Sequence, residues 1–243
     1  MIVLLKKEIS GFFNSLTGYI VILVFLLVNS LFLWVFPGQF NVLESGYANL
    51  ETMFVISPWV FLFLVPAVCM RLFSEEKRSG TIELIITRPV SELQIVLAKY
   101  LAGLSLVLFS LLPSLIYFFS VYQLGNPVGN IDTGGTWGSY IGLFFLAGIY
   151  AAIGVFSSSL TENQIVAFII AMILSFFFFI GFESISTLGF FGKFDSILIN
   201  LGINEHYRSM SRGVLDTRDI FYFVGVIGIF IFTTKTVLES SKW

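Results

Sequence analysis

Six apolar windows organise this chain: residues 16–36, 55–73, 100–122, 137–160, 164–182 and 220 to about 238. At about 1.5 Å of rise per residue each is long enough to cross roughly 30 Å of hydrocarbon as a helix. Each ends at charges, at Gly/Pro/Asn punctuation, or at Trp and Tyr of the kind that sit at membrane interfaces. Ahead of the first window, Ile2, Leu5, Ile9, Phe12, Phe13 and Leu16 share one helical face, with Lys6, Lys7, Ser10 and Asn14 opposite. That pattern predicts an amphipathic helix lying in the interface. It suits a headgroup anchor and a mechanical elbow equally, and no residue separates the two.

The polar positions are as informative as the apolar ones. Residues 71–99, between the second and third windows, gather nine charges: Arg71, Glu75, Glu76, Lys77, Arg78, Glu83, Arg88, Glu92 and Lys99. In hydrocarbon they would cost roughly 2.5 to 3.5 kcal/mol apiece, so the insert must be solvated. Within it Ser79-Gly80 interrupts the helix leaving the second span, Thr81 offers a cap for a short helix to about Thr87, and Pro89 bars its continuation. Ser91, with Gln94 three residues on, is a capping box for the third span.

Lys and Arg set the orientation, because cytoplasmic loops retain positive charge. Residues 37–54 carry Glu44 and Glu51 but no Lys or Arg, and residues 123–136 carry only Asp132, so both connections read as external. The insert and both termini then fall inside. Residues 183–219 read as external too, although Lys193, Arg208, Arg212 and Arg218 run against the rule there. This stretch is too apolar for a free loop, with Gly189, Phe190, Phe191, Phe194, Ile197, Leu198, Leu201 and Ile203. It is expected to dip back into the outer leaflet as re-entrant helices.

Composition narrows the class. The chain is 57% hydrophobic and only 12% charged, with a mean hydropathy of +0.94, where a soluble domain carries about a quarter charged residues. The expected fold is an all-α integral membrane protein forming a single domain over residues 1–243. A net charge of -2 with no basic run excludes a nucleic-acid surface, and the lipid bilayer is the obvious partner. Window 16–36 is longer than a signal-peptide core and ends without small residues, so it reads as a retained first helix. Cys69 is the one cysteine, which rules out an internal disulfide.

Catalytic and phosphate-binding motifs are missing. The one Gly-Lys pair, Gly192-Lys193, has the wrong spacing for a phosphate-binding loop. There is no His-Glu-x-x-His or Gly-x-Ser-x-Gly, and His206 has no partner at metal-ligand spacing. The spans lack the ionisable residues that ion-coupled carriers place at mid-membrane. No catalytic residue, metal ligand or cofactor site is assigned.

Glu75-Glu76-x-x-x-Gly80-Thr81-x-Glu83, then Thr87-Arg88-Pro89-Val90-Ser91 and Lys99-Tyr100, resembles the segment between spans two and three of ABC-2 type transporter permeases. Arg212-Gly213-Val214-Leu215-Asp216 is similar to another family stretch before the last span. The resemblance implies six spans, an interfacial helix at 1–15, a cytoplasmic coupling segment at 71–99 and an external re-entrant segment at 183–219. It implies a non-catalytic subunit of the bacterial inner membrane, with ATP and Mg bound by a separate cytoplasmic ABC subunit. The second membrane partner is another subunit or another copy of this chain. Glu75, Glu76, Gly80, Thr81, Glu83, Arg88 and Pro89 are the implied coupling residues: acids for docking, Gly80 for a bend, Pro89 for a stop. The start Leu4-Leu5-Lys6-Lys7-Glu8-Ile9 and the Phe-rich fifth window further resemble the gliding-motility-associated members. Export of a substrate and mechanical or assembly work without one both fit.

Overall fold

The computed structural model describes residues 1–86, 90–187 and 195–240. Among these the protein is all helical, and six helices are long and apolar enough to cross a membrane. Helix α1 (Ile2–Phe13) leads through Asn14 and Ser15 into the first span, α2 (Leu16–Ser30), which closes in a π-helical turn, Leu31–Val35. A short α3 (Val42–Ser45) precedes the second span, α4 (Glu51–Cys69), which continues past Met70 as the charged α5 (Arg71–Arg78). A five-residue α6 (Ile82–Ile86) follows. The third and fourth spans are α7 (Glu92–Leu124) and α8 (Thr133–Leu160). The fifth is α9 (Gln164–Phe176), carried through a second π-helical turn, Phe177–Gly181, into α10 (Phe182–Thr187). Two short helices, α11 (Asp195–Leu201) and α12 (Ile203–Ser211), come before the last span, α13 (Thr217–Ser240).

The helices overrun the apolar windows, because the windows mark what hydrocarbon tolerates and the helices stop where capping chemistry stops them. The second span's helix runs from Glu51 to Arg78 rather than ending near residue 73, and the third begins at Glu92, before its window opens at residue 100. Ser91 starts α7 by accepting from the Gln94 amide, as the capping box predicts. Asp132 and Asn163 cap α8 and α9 in the same way. Helix α5 ends at Gly80, whose φ of +68° is the left-handed conformation that closes helices. Residues 87–89, and with them the expected roles of Arg88 and Pro89, lie outside the described residues. So does part of the expected re-entrant stretch, residues 188–194.

Helix α8 is the axis of the bundle, packing against α4, α7, α9, α12 and α13. Its glycines allow the close approach: a Cβ at Gly154 would lie 2.6 Å from that of Cys69 on α4, and one at Gly142 would lie 3.1 Å from the Tyr207 ring on α12. Aliphatic and aromatic side chains fill the space around this axis, with Tyr150, Phe25, Phe61, Phe73 and Phe223 among the most enclosed. Helix α1 packs against α7. Four of the six residues expected on its apolar face, Leu5, Ile9, Phe12 and Phe13, are in or against the core, while Ile2 and Leu16, at the two ends of that stretch, are exposed. Glu8 lies on the packed side as well, 3.0 Å from the Lys99 ammonium of α7.

Candidate functional site

Helix α5 continues the second span without spanning anything itself, and every charge on it has a defined direction. Arg71, at its start, donates to Thr17 (3.1 Å) and Ser15 (3.4 Å) at the elbow between α1 and α2, and its guanidinium lies over the Phe12 ring. Glu76, one turn further, is 9% exposed and forms ion pairs with Lys99 of α7 (2.7 Å) and Lys7 of α1 (2.9 Å). Glu8 of α1 lies 3.0 Å from the same Lys99 ammonium. Lys99 is 1% exposed, donates also to the Leu72 carbonyl, and sits 5.0 Å from the centre of the Phe73 ring.

Two lysines and two glutamates therefore form a neutral quartet that joins α1, α5 and α7. Neutrality matters, because an isolated charge at the depth of Lys99 would carry a large desolvation cost. Partial burial pulls the Lys7 ammonium down, but the hydrogen bond and charge of Glu76, with the charge of Glu8, outweigh it and raise the group above its ordinary range. Lys7 therefore stays charged at any physiological pH.

The same helix also grips the fourth span. Ser74 donates to the Ser158 carbonyl (3.1 Å) and Lys77 to the Ser159 carbonyl (2.5 Å), in the last turn of α8. Carbonyls there have no intrahelical donor, and a cation at a helix C-terminus is favourable. Eight residues thus tie α5 to the α1–α2 elbow, to α7 and to the end of α8. Their outer face is different. Glu75, Arg78, Ser79, Gly80, Thr81 and Glu83 are exposed, and an apolar groove of about 490 Å³ between α1 and α6 is lined by Val3, Leu4, Thr81 and Leu84.

The coupling residues expected from sequence thus divide. Glu75, Gly80, Thr81 and Glu83 are exposed together on and just after α5. Glu76 is not with them: one residue on, its carboxylate points into the bundle, where two ammonium groups occupy it. Docking is not open to it. The residues that complete the junction, Lys7, Glu8, Arg71, Ser74, Lys77 and Lys99, escaped assignment because the insert read as a solvated charge run. One signal was available: Glu8 interrupts the apolar side of α1, and Lys99 stands between Ala98 and Tyr100 in an otherwise apolar stretch.

At the opposite end of the bundle a cavity of about 1100 Å³ opens between α4, α8, α10 and α12. Phe54, Val55, Pro58, Trp59 and Phe179 form its apolar wall, and Glu51, Glu183, Glu205, Arg208 and Arg212 its charged rim. Helix α12 closes one side through a bond that depends on a proline. Pro58 has no N–H to give the Phe54 carbonyl four residues earlier, and the Tyr207 hydroxyl donates to that carbonyl instead at 2.7 Å. Burial pushes the Tyr207 phenol up, so it remains a donor.

Six helices long and apolar enough to cross a membrane, with a charged junction at one end of the bundle and a cavity, the vestibule, at the other, define a polytopic membrane protein. The profile of the family described as ABC-2 family transporter protein matches residues 5–202, and the chain belongs to that family. It is a membrane permease of an ABC transporter, a class whose ATPase is carried by a separate chain. A search of curated proteins returns no match.

Proposed function

We propose that this chain transmits the power stroke of a cytoplasmic ABC ATPase into the membrane through α5. The ATPase docks on the outer face formed by Glu75, Gly80, Thr81 and Glu83, with the groove between α1 and α6 beside it; Arg88 and Pro89 join the docking set on the strength of the family resemblance alone. The inner face of α5 then carries the motion to α1, α7 and α8. The observation that supports this reading is the two-sidedness of α5: Glu75 is exposed, whereas Glu76 is buried and joins the quartet. Glu76 thus becomes a transmitting residue rather than a docking one. In this reading both termini and α5 are cytoplasmic, the protein sits in the bacterial inner membrane, and a second membrane subunit or a second copy completes the pathway.

The finer assignment is the gliding-motility-associated permease GldF, working with a GldA-like ATP-binding subunit and a GldG-like membrane subunit. It is supported by the Leu4-Leu5-Lys6-Lys7-Glu8-Ile9 start and the Phe-rich fifth span. Affinity purification from native membranes tests both levels. Wild-type protein is expected to bring down an ATP-binding chain, and Glu75→Lys and Gly80→Val to lose it at unchanged membrane insertion. Full retention by both variants would refute docking at α5. Recovery of an ATPase without any motility component would keep the transporter and remove the finer assignment.

A further inference from the structure

His206 is the one histidine of the chain, and it sits on the side of α12 away from the vestibule. Its Nδ1 lies 2.7 Å from the Asp219 carboxylate at the start of α13, and its Nε2 lies 2.8 Å from the Asn200 carbonyl at the end of α11. A backbone carbonyl can only accept, and so can an ionised carboxylate. With acceptors at both nitrogens, the pair must hold one proton more than a neutral imidazole facing a carboxylate: either an imidazolium beside Asp219, or a neutral ring receiving a proton from a protonated Asp219. The ring stacks on Tyr222 at 3.9 Å, and the Tyr222 hydroxyl donates to the Leu201 carbonyl at 2.6 Å. Asp219 is 5% exposed, so water compensates little for a lost contact.

We infer that His206, between Asp219 and the Asn200 carbonyl, forms a proton-held latch that fastens α12, and with it one wall of the vestibule, to α11 and the last span at once. Losing the shared proton leaves one N–H for two acceptors: by choice of tautomer the ring keeps its bond to Asp219 or to Asn200 but not both, so α12 loses one of its two tethers. The other charges of the neighbouring elements are committed elsewhere or lie on the vestibule side, and Arg218 is the one that adjoins Asp219 in the chain. On α12, Arg208 pairs with Glu183 of α10, while Glu205 and Arg212 line the vestibule. Asp132, ahead of α8, caps the Gly135 amide, and Asp216, ahead of α13, accepts from the Arg218 amide. Asp195 stands at the far end of α11 from Asn200. The effect concerns the vestibule wall and does not depend on how the ATPase docks at the other end.

A single histidine makes the test clean. In lipid nanodiscs, the full chain with Cys69→Ala carries spin labels at Ser209→Cys on α12 and Gln123→Cys at the end of α7. The distance distribution is expected to lengthen or broaden when pH is raised far enough to remove the shared proton. In His206→Gln, which cannot titrate, the distribution should not respond to pH. Nitrogen NMR of the unlabelled wild-type chain supplies an independent reading: the closed form should show both ring nitrogens protonated or hydrogen-bonded through the shared proton, and its loss should share a midpoint with the distance change. A ring that keeps one state throughout, or one that titrates while the distance stays fixed, would overturn the latch.

Discussion

The two ends of this bundle solve the same problem with different chemistry. At the α5 end, charges are compensated: the enclosed Glu8, Glu76 and Lys99 are balanced with the help of the exposed Lys7, and Lys77 and Ser74 cover the last carbonyls of α8. At the vestibule end, α12 is held by single contacts to different elements: Tyr207 serves the carbonyl freed by Pro58, His206 meets Asp219, and Arg208 meets Glu183. The quartet is costly to break because Lys99, Glu76 and Glu8 would be left as charges largely shut off from water. The single bonds are each cheaper to break. The α5 end is therefore expected to be the stiffer of the two, and the difference can be measured.

The sharpest way to break the contrast is at the α5 end. Glu76→Gln leaves Lys99, 1% exposed, facing Glu8 alone, and should cost about 3–5 kcal/mol, the range for removing one member of a buried ion pair. Thermal unfolding of the purified chain reads this as a lower midpoint. The double variant Glu76→Leu/Lys99→Met removes both charges, leaves Lys7 beside Glu8, and should recover most of the loss. If the double variant is as unstable as the single one, buried charge is not what makes that end sensitive.

Tyr207→Phe comes next and probes the wall. It leaves the Phe54 carbonyl without a donor and should cost about 1–3 kcal/mol. The proline explanation makes a further demand. In a Pro58→Ala background the helix has its own N–H for that carbonyl, so the same Tyr207→Phe change should cost clearly less. Equal costs in the two backgrounds would separate the tyrosine from the proline.

Legibility followed the physics of each region. Six spans could be read because hydrocarbon imposes a length and excludes charge, and Ser91 could be read as a cap because capping is local. The π-helical turns at Leu31–Val35 and Phe177–Gly181 have no local signature in their apolar sequence and were not foreseen. The quartet was out of reach for a different reason. Lys7 and Glu76 are separated by 69 residues in the chain, and only the packing of α1 against α7 and the continuation of α4 into α5 bring them within 2.9 Å. The same holds for Glu8: spacing identifies the apolar face of α1, but only the distant Lys99 accounts for a carboxylate on its packed side.

Lys77→Met is a smaller perturbation at the α5 end. It removes the donor to the Ser159 carbonyl while keeping most of the side chain's packing, and the lost hydrogen bond from a charged group should cost about 1.5–3 kcal/mol at most, less where water reaches the freed carbonyl. Unfolding midpoints of Lys77→Met and Lys77→Arg separate charge from packing, because Arg keeps a cation at the C-terminus of α8 and should lie nearer wild type.

The smallest expected effect on stability is the most discriminating for function. Glu75 and Glu76 are adjacent, identical in chemistry and opposite in surroundings: Glu75 is exposed, and Glu76 is locked between two lysines. Glu75→Gln should therefore leave the unfolding midpoint within about 0.5 kcal/mol of wild type, as surface substitutions generally do. If α5 docks an ATPase by its outer face, the same change should still weaken recovery of that partner, and Glu75→Lys should weaken it further because it reverses the charge. The neighbouring Glu76→Gln should show the reverse profile, with a large loss of stability. Where the folded fraction survives at low temperature, it should still bind the ATPase, with hydrolysis no longer coupled to movement of the bundle. Two neighbours that behaved alike in both assays would mean that α5 has no distinct faces, and the lever would have to be sought elsewhere in the molecule.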